Sequence, residues 1–128
     1  MKRLLLLCAL ATMMLLLPTS SSPQVITRYV ALGFCQIGSS SLSSAVTLTN
    51  TSACAIGVPT GAQMAEICVE VAAVRYRDDG TAPTSSIGVL VAAQSASIPT
   101  CFQYSGPLTA IQFIASTGSP VVDVAFYK

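Results

Sequence analysis

Apolar and polar residues alternate along this chain in short runs that turn-forming residues cut off about every ten positions, and this period of two constrains the fold most. In the clearest run Ala65, Ile67, Val69, Val71 and Ala73 fall on one face while Glu66 and Glu70 fall on the other. At Val74 the phase inverts: Val74 and Tyr76 are apolar and Arg75 and Arg77 polar, which predicts a β-bulge or a tight corner near Ala72 or Ala73. A helix over Gln63 to Val74 would bring Glu66 and Glu70 together on one face, where they repel, and the β-branched Ile67, Val69, Val71 and Val74 favour strand. A second strand is expected over Ala45 to Thr51, where Val46 and Leu48 alternate with Thr47 and Thr49 in the same way, so the sheet is half buried. Further strands are expected over Arg28 to Gln36, Ser86 to Ala93, Ile98 to Tyr104, Leu108 to Ser116 and Val121 to Tyr127. Turns fall at Val58-Pro59-Thr60-Gly61, Ser105-Gly106-Pro107 and Thr117 to Pro120, and Asp78-Asp79-Gly80 has the composition of a hairpin tip. The count is seven or eight strands, which predicts an all-β, single antiparallel β-sandwich or jelly-roll-like domain.

The N-terminus has a different character. Lys2 and Arg3 precede an unbroken apolar run from Leu4 to Leu17, then Pro18 and small residues, the layout of a secretory signal peptide. As a helix that run spans about 21 Å against a hydrocarbon core of roughly 30 Å, too short for a comfortable anchor. We therefore expect a leader over residues 1–21, cut after Ser21, and one domain over 22–128. The alternative is an uncleaved hydrophobic arm that packs on a partner or lies in a membrane, the only membrane contact expected. Cys8 leaves with the leader. Cys35, Cys54, Cys68 and Cys101 remain at spacings of 19, 14 and 33, with no C-x-x-C pair. An even number in a small exported domain points to two disulfides, in any of three pairings; in a reducing compartment the same residues would be buried thiols.

Several chemistries are poorly supplied. The chain has no histidine, so it has no Ser-His-Asp or Cys-His relay and no imidazole titrating near neutral pH. Beyond Ser21, four cations (Arg28, Arg75, Arg77, Lys128) face five carboxylates (Glu66, Glu70, Asp78, Asp79, Asp123), a net charge of −1 with no basic stripe for nucleic acid. So few charges favour association over free solubility. On one straight strand Glu66 and Glu70 lie about 13 Å apart, wider than the roughly 5–9.5 Å of glycosidase carboxyl pairs. Asp78-Asp79-Gly80 lacks the alternating acids and later Glu of a calcium loop, and Ser39 to Ser44 lacks the Lys of a phosphate loop. Asn50-Thr51-Ser52 matches the N-glycosylation pattern, which has meaning only in a eukaryotic secretory pathway. The eight aromatic residues could include a stacking platform for sugar or bases, but most of them are expected in the core, and tryptophan, the usual sugar-stacking residue, is missing. No enzyme activity, cofactor or metal is expected.

One set of segments is more specific. Val58 to Ala62, Ala65 to Glu70, the run Val74-Arg75-Tyr76-Arg77-Asp78-Asp79-Gly80-Thr81-Ala82-Pro83-Thr84, Gly88, Tyr104 to Leu108, Ile111 to Ile114 and Val121 to Tyr127 together resemble small accessory proteins encoded among the structural genes of tailed bacteriophages and prophages. The resemblance spans about Tyr29 to Lys128. It implies an oligomeric, virion-associated β-sandwich that decorates the capsid or serves the tail or a fibre base, in contact with copies of itself and other virion proteins. Arg75 to Thr84 would then be a positioned hairpin, with Arg75, Arg77, Asp78 and Asp79 meeting a neighbouring subunit. The leader and the four body cysteines stand outside that pattern and add a second expectation, an exported binding module for cell-surface glycans or a protein partner. The expected location is accordingly the virion, or the periplasm or exterior if the leader is cleaved.

Overall fold

A computed structural model describes residues 28–93, 95 and 97–128; the proposed leader lies outside them. Eight strands follow in order: β1 Ala31–Ile37, β2 Val46–Thr47, β3 Met64–Glu70, β4 Val74–Arg77, β5 Val89–Val91, β6 Thr100–Tyr104, β7 Gln112–Ala115 and β8 Val121–Tyr127. They form two four-stranded sheets, ordered β1-β8-β3-β6 and β2-β7-β4-β5. Within these, β1 pairs with β8, β2 with β7, β3 with β6 and β4 with β5, all antiparallel. A long hairpin of four strand pairs has rolled up so that β8 also meets β3 and β7 meets β4. This is the jelly-roll order, and the all-β sandwich expected from the alternation is the observed fold.

The phase inversion at Val74 marks the change of sheet. β3 ends at Glu70 in the first sheet and β4 begins at Val74 in the second, so the corner of Val71, Ala72 and Ala73 inverts the faces. The Ala72 N–H donates to the Glu70 carbonyl at 2.8 Å across Val71, whose φ is +69°. An i to i+2 bond around a residue with positive φ is a γ-turn of the rarer, strained hand. The Ser116 N–H donates to the Ala73 carbonyl at 2.9 Å and ties the corner to the end of β7.

The core lies between the sheets. Ile37, Ile67, Val69, Val122, Val124 and Phe126 enter from one layer, Val46, Val74 and Phe113 from the other, and Leu42, Leu48, Leu108 and Ile111 close it from connecting segments. Each such side chain contributes about 1.5–3 kcal/mol by leaving water. No polar or charged residue is buried among the described residues, which matches how few charges the chain has.

Four sequence expectations change. Asp79 and Gly80 do not form a two-residue hairpin: residues 78–88 intervene before β5, because Pro83 is buried and cannot extend the ladder. β5 is therefore Val89–Val91 and not Ser86 to Ala93. Likewise β2 stops at Thr47 and does not run to Thr51, because the chain turns where the Asn50 carbonyl accepts from Ala53 and Cys54; and β7 is Gln112–Ala115 and not Leu108 to Ser116, because the Pro107 carbonyl accepts from Ala110 and Ile111 in a turn.

Candidate functional site

The loop of residues 78–88 joins β4 to β5 and carries most of the body's side-chain hydrogen bonding. Arg75 lies on the outer face of its sheet, beneath the returning loop. Its Nε donates to the Ser85 carbonyl at 3.1 Å and its Nη1 to the Gly88 carbonyl at 2.8 Å. The Ser116 hydroxyl donates to the same Ser85 carbonyl at 3.0 Å, so this end of the loop is also held from the end of β7. Gly88 has a φ of +128°, and a Cβ there would meet the Tyr76 carbonyl oxygen at 2.9 Å. Only glycine permits that approach without strain.

At the other end of the loop, Arg77 grips Asp79 through two hydrogen bonds, Nε to Oδ1 at 3.1 Å and Nη2 to Oδ2. Asp79 Oδ1 also accepts the Thr81 N–H at 3.0 Å. The bond to Asp79 raises the Arg77 guanidinium above its ordinary range; that bond and the Thr81 amide hold the Asp79 carboxyl below its own. Asp78 Oδ2 accepts the Tyr104 hydroxyl at 3.0 Å, which links the loop to β6 of the opposite sheet. Burial first, and the Asp78 bond second, push the Tyr104 phenol above its ordinary value. Tyr76, Arg77, Asp78, Asp79, Ile87, Gly88 and Val89 line a shallow notch of about 260 Å³ between loop and strand. Tyr76 backs it, stacked on Phe102 with ring centroids 5.5 Å apart.

The four residues assigned to subunit contact thus gather around one loop, and each is hydrogen-bonded to another part of the same chain. Arg75 holds carbonyls, Arg77 holds Asp79, and Asp78 holds Tyr104. The arrangement can present a shaped surface; it gathers no nucleophile beside a base. Glu66 and Glu70 project from the outer face of the first sheet, and Asp123 on the same face accepts from Gln36 at 2.9 Å. Among the described residues, no group of three or more His, Cys, Asp or Glu could hold a metal ion.

The cysteines pair as Cys35–Cys54 and Cys68–Cys101. Cys68 and Cys101 are register partners on β3 and β6, while Cys35–Cys54 ties β1 to the segment after β2. Two disulfides belong to an oxidising, exported or extracellular environment. Among the described residues no helix is long and apolar enough to cross a membrane. Sequence reasoning missed Tyr104 as the partner of Asp78 and missed the grip of Arg75, because both depend on how the loop folds back. Comparison of the chain with protein-family models, curated proteins and solved structures finds no match.

Proposed function

We propose that this protein is a non-enzymatic structural component of a bacteriophage particle, exported or exposed to an oxidising milieu, that acts through contacts between subunits. What supports this is β5: an edge strand whose Val89 and Leu90 stand exposed, while the neighbouring charged cluster is closed on itself. The charged groups beside it reach solvent but are engaged, Arg77 with Asp79 and Asp78 with Tyr104, whereas the exposed edge of β5 is apolar and unengaged by another strand among the described residues. The phage assignment comes from the sequence resemblance. The jelly roll fits it as an architecture that capsid domains use, though lectins use it as well.

A second reading, an exported glycan-binding module, is favoured by the outer face of the first sheet. There Phe34 is exposed beside the Gln36–Asp123 pair, an apolar surface next to fixed hydrogen-bonding groups. Density-gradient purification of particles followed by immunoblotting separates the two. Comigration with particles is expected. A protein absent from particles that binds glycans as a monomer would replace the first reading with the second.

A further inference from the structure

Each sheet has two edges, and three of the four carry a device that blocks pairing with another chain. β1 is bulged between Ala31 and Gly33 and overlaid by Ile56, whose Cδ1 lies 2.6 Å from where a Gly33 Cβ would be. The Cys35–Cys54 bridge holds that cover in place. β2 is two residues long. β6 follows Pro99 and exposes the polar Gln103, and the Thr100 hydroxyl at its start is taken by the Ala92 carbonyl at 2.6 Å. Short length, bulges, proline and covering loops are the means by which natural sheets stay apart.

β5 is itself only three residues long, but among the described residues it carries no bulge, proline or covering loop. Among the described residues, the side of β5 away from β4 has no strand partner. Val89 and Leu90 are 54% and 52% exposed, and Ile87 and Ile98 in the flanking segments are 57% and 53% exposed. No charged side chain occurs in sequence between Asp79 and Asp123, so β5 itself carries no lysine or glutamate to guard this edge; the nearest charges are Arg75 on β4 and the Arg77–Asp79 pair, both engaged within the chain.

We infer that β5 pairs antiparallel with β5 of a second copy of this chain, merging the two β2-β7-β4-β5 sheets into one continuous sheet. Two observations select the copy over a different partner. In a two-fold interface the same patch meets itself, so like charges would face one another; this segment has none to repel. The strand Val89-Leu90-Val91 also reads the same in both directions, so an antiparallel pair centred on Leu90 sets Val89 against Val91 twice and leaves no mismatch. This deepens the proposed function by naming the partner of the exposed edge, and it rests on reading the protein as a contact-forming module.

The test uses the secreted, disulfide-bonded chain in sedimentation equilibrium. Wild type is expected to dimerise. Leu90→Lys and Leu90→Asp each put like charges across the axis and should weaken the dimer by about tenfold or more, roughly 1.4 kcal/mol. Mixing the two variants should restore a heterodimer, which happens only if position 90 faces position 90. Circular dichroism checks that each variant keeps its strands, and concentration-dependent hydrogen-exchange protection of Val89–Val91 in unmodified protein reports the same contact without substitution. A wild-type monomer, or a dimer unchanged in both variants, overturns the pairing. Particle comigration is scored separately: a monomer found in particles removes the pairing and leaves the functional reading standing, whereas a β5-paired dimer absent from particles does the reverse.

Discussion

Val71 shows how a single residue can carry the cost of a topology. The corner between the sheets needs a positive φ, and a β-branched side chain is among the poorest choices for it. Left-handed backbone costs a non-glycine residue about 1–2 kcal/mol. Three contacts keep the corner in place: the Ala72–Glu70 bond, the Ser116–Ala73 bond, and Gly118, where a Cβ would lie 3.0 Å from that of Ala72. Val71 is 49% exposed, so its removal forfeits little burial. Val71→Gly should therefore stabilise the protein by up to about 1 kcal/mol, the relief of strain outweighing glycine's extra unfolded-state entropy. A thermal melt should show Tm rising by about 4 °C. A lower Tm would mean that the Val71 side chain holds the corner by packing.

At the scale of elements, the β4–β5 loop is held by Arg75 at one end and by the Asp78–Tyr104 bond at the other, and the second hold depends on pH. The Tyr104 phenol is raised above its ordinary value of 10.0 because burial and the Asp78 carboxylate both oppose a phenolate. A raised folded-state value means stability fully present below pH 10 and lost as pH climbs through that higher value. Urea unfolding at stepped alkaline pH should show this decline, and Tyr104→Phe should flatten it while costing about 1 kcal/mol at neutral pH for the lost bond. The absorbance change of tyrosine ionisation should lose its latest fraction in the same variant. An alkaline decline identical in wild type and variant would assign it elsewhere. The same elements show how far the chain could be read unaided. Period-two alternation located β3 and β4 and the corner between them, since a phase slip can be seen without knowing what packs on either face. The length of β5 and the partners of Arg75 were hidden. They follow from Pro83 being buried and the loop folding back onto its sheet, a long-range outcome that no local pattern encodes.

For the whole molecule, two crosslinks must supplement a modest core in a chain whose net stability belongs to the usual range of about 5–15 kcal/mol. Their separations of 19 and 33 residues give similar chain-entropy contributions, about 3 and about 4 kcal/mol, so either loss is a large share of the total. Their surroundings differ. Cys35 and Cys54 are both buried in the core cluster, and their bridge keeps Ile56 over the β1 edge; Cys101 is exposed on the outside of β6. A reductant in solution reaches the second bridge in the folded protein and the first only when the fold opens. Graded thiol treatment followed by alkylation and mass mapping should label Cys68 and Cys101 first, with the sandwich intact and Tm lowered. Cys35 and Cys54 should be labelled only as unfolding begins. Replacing that buried pair, Cys35→Ala with Cys54→Ala, should also release the cover from β1 and add a second open edge. Light scattering of this variant should show aggregation at concentrations where the Cys68→Ala, Cys101→Ala variant stays dispersed. Equal aggregation in the two variants would show that the disulfide near β1 protects stability alone and does not guard the edge.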